Sequence, residues 1–223
     1  MKLPVPPLLV ISDRHQARRP LEEVAEAAFA GGCRWLSLRE KDLPPEERRA
    51  LLGALLTLGR RYGAVVTAHE DIEAVAAVGA DGVHLPSGGS PVAARARLPG
   101  ALIGASAHSA DEAAASLRAG ADYVTASPVF ITASKPGYGP ALGLDGLAGI
   151  LAQAPGDVVA LGGITAENAA ACFAAGARGI AVMGEVMRAA DPQATVEHLL
   201  RAMSGLHGSI EANIRRYNKV KRD

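Results

Sequence analysis

The chain of 223 residues is 49% hydrophobic and 21% charged, which excludes disordered and fibrous classes. Lys plus Arg equals Asp plus Glu at 23 each, so the formal charge is zero, and a nucleic-acid partner, which selects for a basic excess, is not expected. Cys33 and Cys172 stand far apart in apolar contexts, neither a disulfide framework nor a zinc spacing, as suits a reducing compartment. Met1 to Pro7 holds one lysine and three prolines before a short apolar run, too interrupted for a secretory signal. No window approaches 18 consecutive apolar residues, so no membrane span is expected and the predicted location is cytoplasmic.

Short apolar runs alternate with Ala-rich helical stretches. The predicted strands are Leu8–Ser12, Trp35–Arg39, Ala64–Ala68, Gly82–Leu85, Ala101–Ser106, Tyr123–Ala126, Val158–Leu161 and Gly179–Met183. The predicted helices are Leu21–Ala30, Pro45–Arg61, Ile72–Val78, Val92–Ala96, Ala110–Ala119, Leu144–Gln153, Ala166–Ala175 and Pro192–Met203. Eight strands, each followed by a helix, favour a single (βα)8 TIM barrel over an open doubly wound sheet, which usually stops sooner.

A weak repeat supports the count. Gly32-Cys33-Arg34-Trp35, Gly79-Ala80-Asp81-Gly82, Gly120-Ala121-Asp122-Tyr123 and Gly176-Ala177-Arg178-Gly179 each close a helix and enter a strand. Their spacings of 47, 41 and 56 residues correspond to two strand–helix units each, as strands 2, 4, 6 and 8 of a barrel require. The barrel is expected to occupy residues 1–204. Residues 205–223 form a short C-terminal extension, a basic tail with five basic and two acidic residues, read as an added short helix or a frayed end.

Barrel enzymes place chemistry at the C-terminal ends of strands. Strand 2 ends in Ser37-Leu38-Arg39-Glu40-Lys41, and alternation turns Ser37 and Arg39 inward. Arg39 then meets either an anion or Glu40 in an internal salt bridge. Gly162-Gly163 after strand 7 and Met183-Gly184 after strand 8 suit the phosphate pocket of this fold, or plain tight turns. After strand 6, Thr132, Ser134 and Lys135 sit within four residues of a Gly/Pro-rich loop and suit a phosphate; the alternative is a solvated loop. His69, His84 and His108 fall near adjacent strand ends without a His-x-His pair, which suits polar contacts or caps better than zinc. Glu70 and Asp71 are carboxylates that hold a hard cation or begin the next helix.

These residues, in this order, resemble the thiamine phosphate synthase superfamily, which includes the thiazole tautomerases. The resemblance runs from Val10 to Pro192 on Leu38-Arg39-Glu40-Lys41, Gly79-Ala80-Asp81-Gly82-Val83-His84-Leu85, Ile103-Gly104-Ala105-Ser106-Ala107-His108-Ser109, Ala121-Asp122-Tyr123-Val124, Thr132-Ala133-Ser134-Lys135 and Leu161-Gly162-Gly163-Ile164. It implies a transferase that joins a hydroxymethylpyrimidine diphosphate to a thiazole phosphate with loss of diphosphate, and so small phosphorylated heterocycles as partners. It further implies that Arg39, Lys41, Thr132, Ser134 and Lys135 bind diphosphate and that Lys135, Ser106 and Arg39 stabilise the departing charge. Gly162, Gly163, Met183 and Gly184 would hold the thiazole phosphate, with Mg2+ sharing the load. Barrels of this type often pair through their outer helices, which leaves a homodimer open.

Two departures stand out. The synthases carry Asn-Asp after strand 3, where this chain has His69-Glu70, and an Asp in a Gly-Gln-x-Asp segment after strand 4, where it has Pro86-Ser87-Gly88-Gly89. Glu70 is then the single metal candidate, and one carboxylate holds Mg2+ loosely unless substrate phosphates do the rest. His69 and Leu85-Pro86-Ser87-Gly88 look like the metal-independent tautomerase branch, but the acid–base histidine of that branch falls where this chain has Pro128. His69 or His108 is the candidate for that role. A degenerate homologue that only binds a thiamine-pathway phosphate is the third reading.

Overall fold

The computed structural model describes residues 3–132 and 140–204. Eight parallel strands close on themselves in sequence order. They are β1 (Leu8–Ile11), β2 (Trp35–Leu38), β3 (Val65–His69), β4 (Gly82–Leu85), β5 (Leu102–Ala107), β6 (Tyr123–Ala126), β7 (Asp157–Leu161) and β8 (Gly179–Val182). Helices α1 (Leu21–Ala30), α2 (Pro45–Arg61), α3 (Ile72–Val78), α4 (Pro91–Arg97), α5 (Ala110–Arg118), α6 (Gly143–Gln153) and α7 (Ala166–Ala174) follow the first seven strands in turn. After β8 come α8 (Gly184–Met187) and α9 (Pro192–Ser204). The four-residue α8 is absent from the prediction because one turn carries no readable apolar period.

The strands are short apolar runs because both faces are covered. Leu36 and Leu38 of β2 join the shell between strands and helices, with Val66, Val83 and Ile103. Leu9, Ile11, Trp35, Leu102, Tyr123, Val159 and Ala181 fill the barrel interior. There the Trp35 and Tyr123 rings meet edge to face, 4.8 Å apart. Gly104 is the small residue opposite Tyr123: any Cβ at that position would overlap the phenol ring.

The Gly-Ala-Asp repeat has a physical meaning. Asp81 Oδ2 accepts the Val66 N–H at 2.7 Å, and Asp122 Oδ2 accepts the Ile103 N–H at 2.8 Å. Each carboxylate thereby pins the bottom of its own strand to the one before it. Asp71, Ser90 and Ser109 cap α3, α4 and α5 with side-chain oxygens, and Thr165 and Asn168 form a capping box on α7. Among the described residues no helix is long and apolar enough to cross a membrane.

Gly104→Ala is expected to destabilise the barrel by about 1–3 kcal/mol in urea unfolding, because the added methyl has to displace the Tyr123 ring. An unchanged midpoint would show that the interior has slack there.

Candidate active site

The C-terminal mouth of the barrel opens into a cavity of about 510 Å³, within the range of small-molecule sites. The C-terminal ends of β2, β3 and β5 and the segments that follow them supply Arg39 and Lys41, His69 and Glu70, and Ser106 and His108 to its wall. The turns after β6, β7 and β8 add Thr132, Gly162 with Gly163, and Met183 with Gly184. Ser134 and Lys135 lie outside the described residues, as does the tail 205–223. All the other predicted site residues meet in this one cavity. Arg188, Ser127 and Thr165 also line it and were not singled out from sequence.

Arg39 does not pair with Glu40, so the internal salt bridge left open in the sequence is not formed. Glu40 is buried and turned the other way. It accepts Ser12 Oγ–H at 2.7 Å, the Arg14 N–H at 3.1 Å and Arg14 Nη1–H at 3.1 Å. Ser12 Oγ in turn accepts the Arg39 N–H at 2.8 Å. Arg14 also grips Asp42 at 2.6 and 2.5 Å, and His15 sits 2.9 Å from the same carboxylate. The Arg14 guanidinium, helped by His15, holds the Asp42 carboxyl well below the usual range. Glu40 is thus satisfied by Arg14, and Arg39 reaches the cavity wall with no ion pair to any described carboxylate.

Lys41 is in a different condition: its ammonium pairs with Glu70. Glu70 is the one non-glycine among the described residues with left-handed backbone, φ 64°, and its N–H donates to the His84 carbonyl at 2.9 Å. A single such outlier at a strand end is a local strain of the kind concentrated at functional sites.

Below the cavity floor a polar column crosses the barrel. His84 Nδ1 lies 3.0 Å from Tyr123 Oη, and Nε2 lies 3.1 Å from Ser106 Oγ and 3.4 Å from Thr125 Oγ1. Burial, with a smaller contribution from the Lys41 charge, pushes the His84 pKa down to about 3, so the ring is neutral. Burial also raises the Tyr123 phenol far above its ordinary value. When Tyr123 donates to Nδ1, Nε2–H donates to Ser106 Oγ and the serine proton is left to point elsewhere. The His69 and His84 rings meet at a tilt of 40° with centroids 4.6 Å apart, and His108 Nδ1 meets the Ser127 carbonyl at 2.7 Å.

The glycines after β7 have a packing reason. Gly162 and Gly163 have φ of 101° and 63°, and Cβ atoms there would press on Pro128 at 2.7 Å and on the Ile131 carbonyl at 2.5 Å. The Val129 and Phe130 N–H groups donate to the Leu161 and Gly162 carbonyls at 2.8 and 2.9 Å. The backbone that approaches these glycines closely is therefore the segment 128–131, while both residues still line the cavity.

The carboxylates near the mouth do not make a protein-held Mg2+ site. Glu70 pairs with Lys41; Asp71 holds Arg48 and caps α3; Glu112 accepts Ser87 Oγ–H and the His108 N–H. Among the described residues no three His, Cys, Asp or Glu side chains converge on a point. An octahedral cation usually needs one or two committed carboxylates plus substrate oxygens; of the two that line the cavity, Glu70 and Glu185, Glu70 is paired with Lys41.

A (βα)8 barrel whose mouth gathers cations, hydroxyls and glycine turns in one cavity belongs to the class of barrel enzymes that handle small anionic substrates. The family model described as thiamine monophosphate synthase matches residues 8–186. A putative thiamine-phosphate synthase of Geobacter sulfurreducens is 42% identical over 196 residues, 86% of this chain and 92% of that one. The thiamine-phosphate synthase of Moorella thermoacetica is 36% identical over 90% of this chain and 96% of its own. The solved thiamine phosphate pyrophosphorylase from Pyrococcus furiosus superposes with a TM-score of 0.81 at 34% identity, covering 90% of this chain and 96% of that one. The chain belongs to the thiamine monophosphate synthase family, a family of transferases in thiamine biosynthesis.

The buried His84 sets a pH dependence. An unfolded histidine titrates near 6.5, so as pH falls from about 6.5 toward 3 the unfolded chain gains a proton that the folded chain refuses, and stability drops through that window. Urea unfolding at pH 7.5 and 5.0 is expected to show this loss, and His84→Gln to reduce it. An equal loss in both proteins would mean that His84 accepts a proton in place.

Proposed function

We propose that this chain joins a hydroxymethylpyrimidine diphosphate to a thiazole phosphate, releasing diphosphate and forming thiamine phosphate. The observation that carries the reading is Arg39: a guanidinium with no ion pair to any carboxylate among the described residues, in a cavity that also holds two glycine-bearing turns. A substrate pair with two separate anionic groups calls for such an arrangement.

In this reaction the bond between the pyrimidine methylene carbon and the diphosphate oxygen breaks, and its electron pair leaves with the diphosphate. The ring nitrogen of the thiazole then donates its lone pair to the methylene carbon. Negative charge grows on the leaving oxygens, so fixed donors aimed there lower the barrier. Arg39, the Ser106 hydroxyl and Thr132 serve in that role, joined by Ser134 and Lys135 from the same loop. Lys41 contributes only by giving up Glu70, which makes Arg39 the stronger of the two cations toward an incoming anion. Water would capture the cation as readily as a thiazole does. Ile11, Leu161 and Met183 give that part of the wall an apolar surface that disfavours it.

Magnesium enters this reading as a companion of the diphosphate, because among the described residues no three metal-ligating side chains converge and Glu70 is paired with Lys41. A second reading, proton transfer within a thiazole carboxylate phosphate, draws on His69 and His108, both at the cavity wall.

Purified protein is to be incubated with both substrates and Mg2+, and thiamine phosphate read by chromatography, with and without EDTA. Product is expected, falling with EDTA. Arg39→Ala is expected to cost about 10²–10³-fold in kcat/KM and Lys41→Ala less. No product from folded protein sinks the synthase reading and turns attention to the isomerisation, with His69 and His108 as the residues to replace.

A further inference from the structure

The polar column beneath the cavity has two possible hydrogen-bond orders, and they differ in what Ser106 offers to a ligand. His84 is 1% exposed and is not part of the cavity wall, whereas Ser106, at the top of the column, is. A neutral imidazole carries its proton on one nitrogen and accepts on the other. With the proton on Nδ1, Nε2 accepts from the Ser106 hydroxyl, and the serine turns lone pairs toward the cavity. With the proton on Nε2, Ser106 Oγ accepts, and its own proton is free to point into the cavity. Only the second order favours an anion there.

Tyr123 selects between them. Among the described residues its phenol oxygen meets one partner, His84 Nδ1 at 3.0 Å. The side chain is fully buried, so a phenol proton not given to Nδ1 has no acceptor, which costs about 1–3 kcal/mol. Burial holds the phenol pKa far above its ordinary value, so that proton is always present. Thr125 is the competing donor toward Nε2. Its contact is the longest of the three at 3.4 Å, against 3.1 Å for Ser106. A phenol is also more acidic than a threonine hydroxyl and hence the better donor.

The packing keeps the phenol within reach. Gly104 stands on β5 two residues before Ser106, and a Cβ there would overlap the Tyr123 Cζ and hydroxyl oxygen. The Trp35 ring meets the same phenol edge to face, so the ring has a fixed place.

We infer that Tyr123 and His84 are positioning residues: Tyr123 holds His84 as the Nε2–H tautomer, and His84 thereby makes Ser106 a hydrogen-bond donor toward an anion in the cavity. Accepting from Nε2–H polarises the serine hydroxyl and strengthens its own donation. Neither Tyr123 nor His84 lines the cavity, so both act through the serine. The inference rests on the synthase reading only for naming the anion as diphosphate.

Two measurements test it. The first is the nitrogen NMR spectrum of the folded wild-type chain at pH 7.5 with isotope-labelled histidine, His84 being assigned through its ring contact with Tyr123. A protonated Nε2 beside a bare Nδ1 is expected. A proton on Nδ1, or on both nitrogens, overturns the inference. The second is calorimetric titration with inorganic diphosphate and Mg2+. Ser106→Ala is expected to weaken binding about tenfold, the scale for losing a hydrogen bond to a charged group. His84→Met, which fills the space without a donor, should match it. The two replacements together should lose no more than about threefold beyond either alone, because they remove one shared interaction. His84→Gln, whose amide can accept from Tyr123 and donate to Ser106, should bind within about threefold of wild type. A merely structural loss would be neither rescued by glutamine nor shared with the serine. Unweakened binding in His84→Met or Ser106→Ala, additive losses, or no diphosphate binding by wild type overturns the inference. If His84→Met does not fold, the wild-type spectrum still decides. Thiamine phosphate made by a chain whose His84 carries its proton on Nδ1 sinks this inference alone. The expected tautomer and coupling without product sink the synthase reading alone.

Discussion

A buried carboxylate at the barrel mouth decides which charges the cavity presents. Glu40 projects away from the cavity and collects a serine hydroxyl, a backbone N–H and one arm of Arg14. Taking a carboxylate out of water costs several kcal/mol unless such partners meet it, and leaving it without them costs about 3–5 kcal/mol. The clamp ties the end of β1 to the end of β2, and through Ser12 it fixes the backbone of Arg39 as well. Because Glu40 is satisfied by Arg14, Arg39 reaches the cavity wall with no ion pair to a carboxylate among the described residues.

The interior follows the same economy of fixed donors. Tyr123, His84 and Ser106 form a line from the apolar centre of the barrel to the cavity floor, and burial keeps the first two uncharged. A neutral imidazole bonded on both sides is held in place, so the oxygen of the serine above it is fixed before any ligand arrives. Preorganised dipoles of this kind need no rearrangement when charge develops beside them.

Most of the architecture was legible because each strand–helix unit punctuates itself. Apolar runs mark the strands, and the Gly-Ala-Asp turns place β4 and β6, their aspartates binding back to Val66 and Ile103. Many of the residues that line the cavity were legible too, since strand ends are read directly from strand positions. Pairing was not. Glu40 is adjacent to Arg39 in sequence, yet past the end of β2 its side chain turns to the segment after β1, where it meets Ser12 and Arg14, the latter 26 residues away. Arg188 was missed for a related reason. It lies past a helix of one turn, and its place on the cavity wall appears only in the folded chain.

The contact between the β6 and β7 turns has a consequence for how this site can change over generations. Segment 128–131 lies on Gly162 and Gly163 and is hydrogen-bonded to β7 and its turn at two points. That segment leads directly to Thr132, and the glycines border the same cavity. A backbone shift on one side of this contact is therefore transmitted to the other, so the two turns do not vary independently. Drift in one turn has to be followed by compensation in the other, so new specificities in such a barrel should arise through paired replacements across the β6–β7 contact rather than by independent steps on either side.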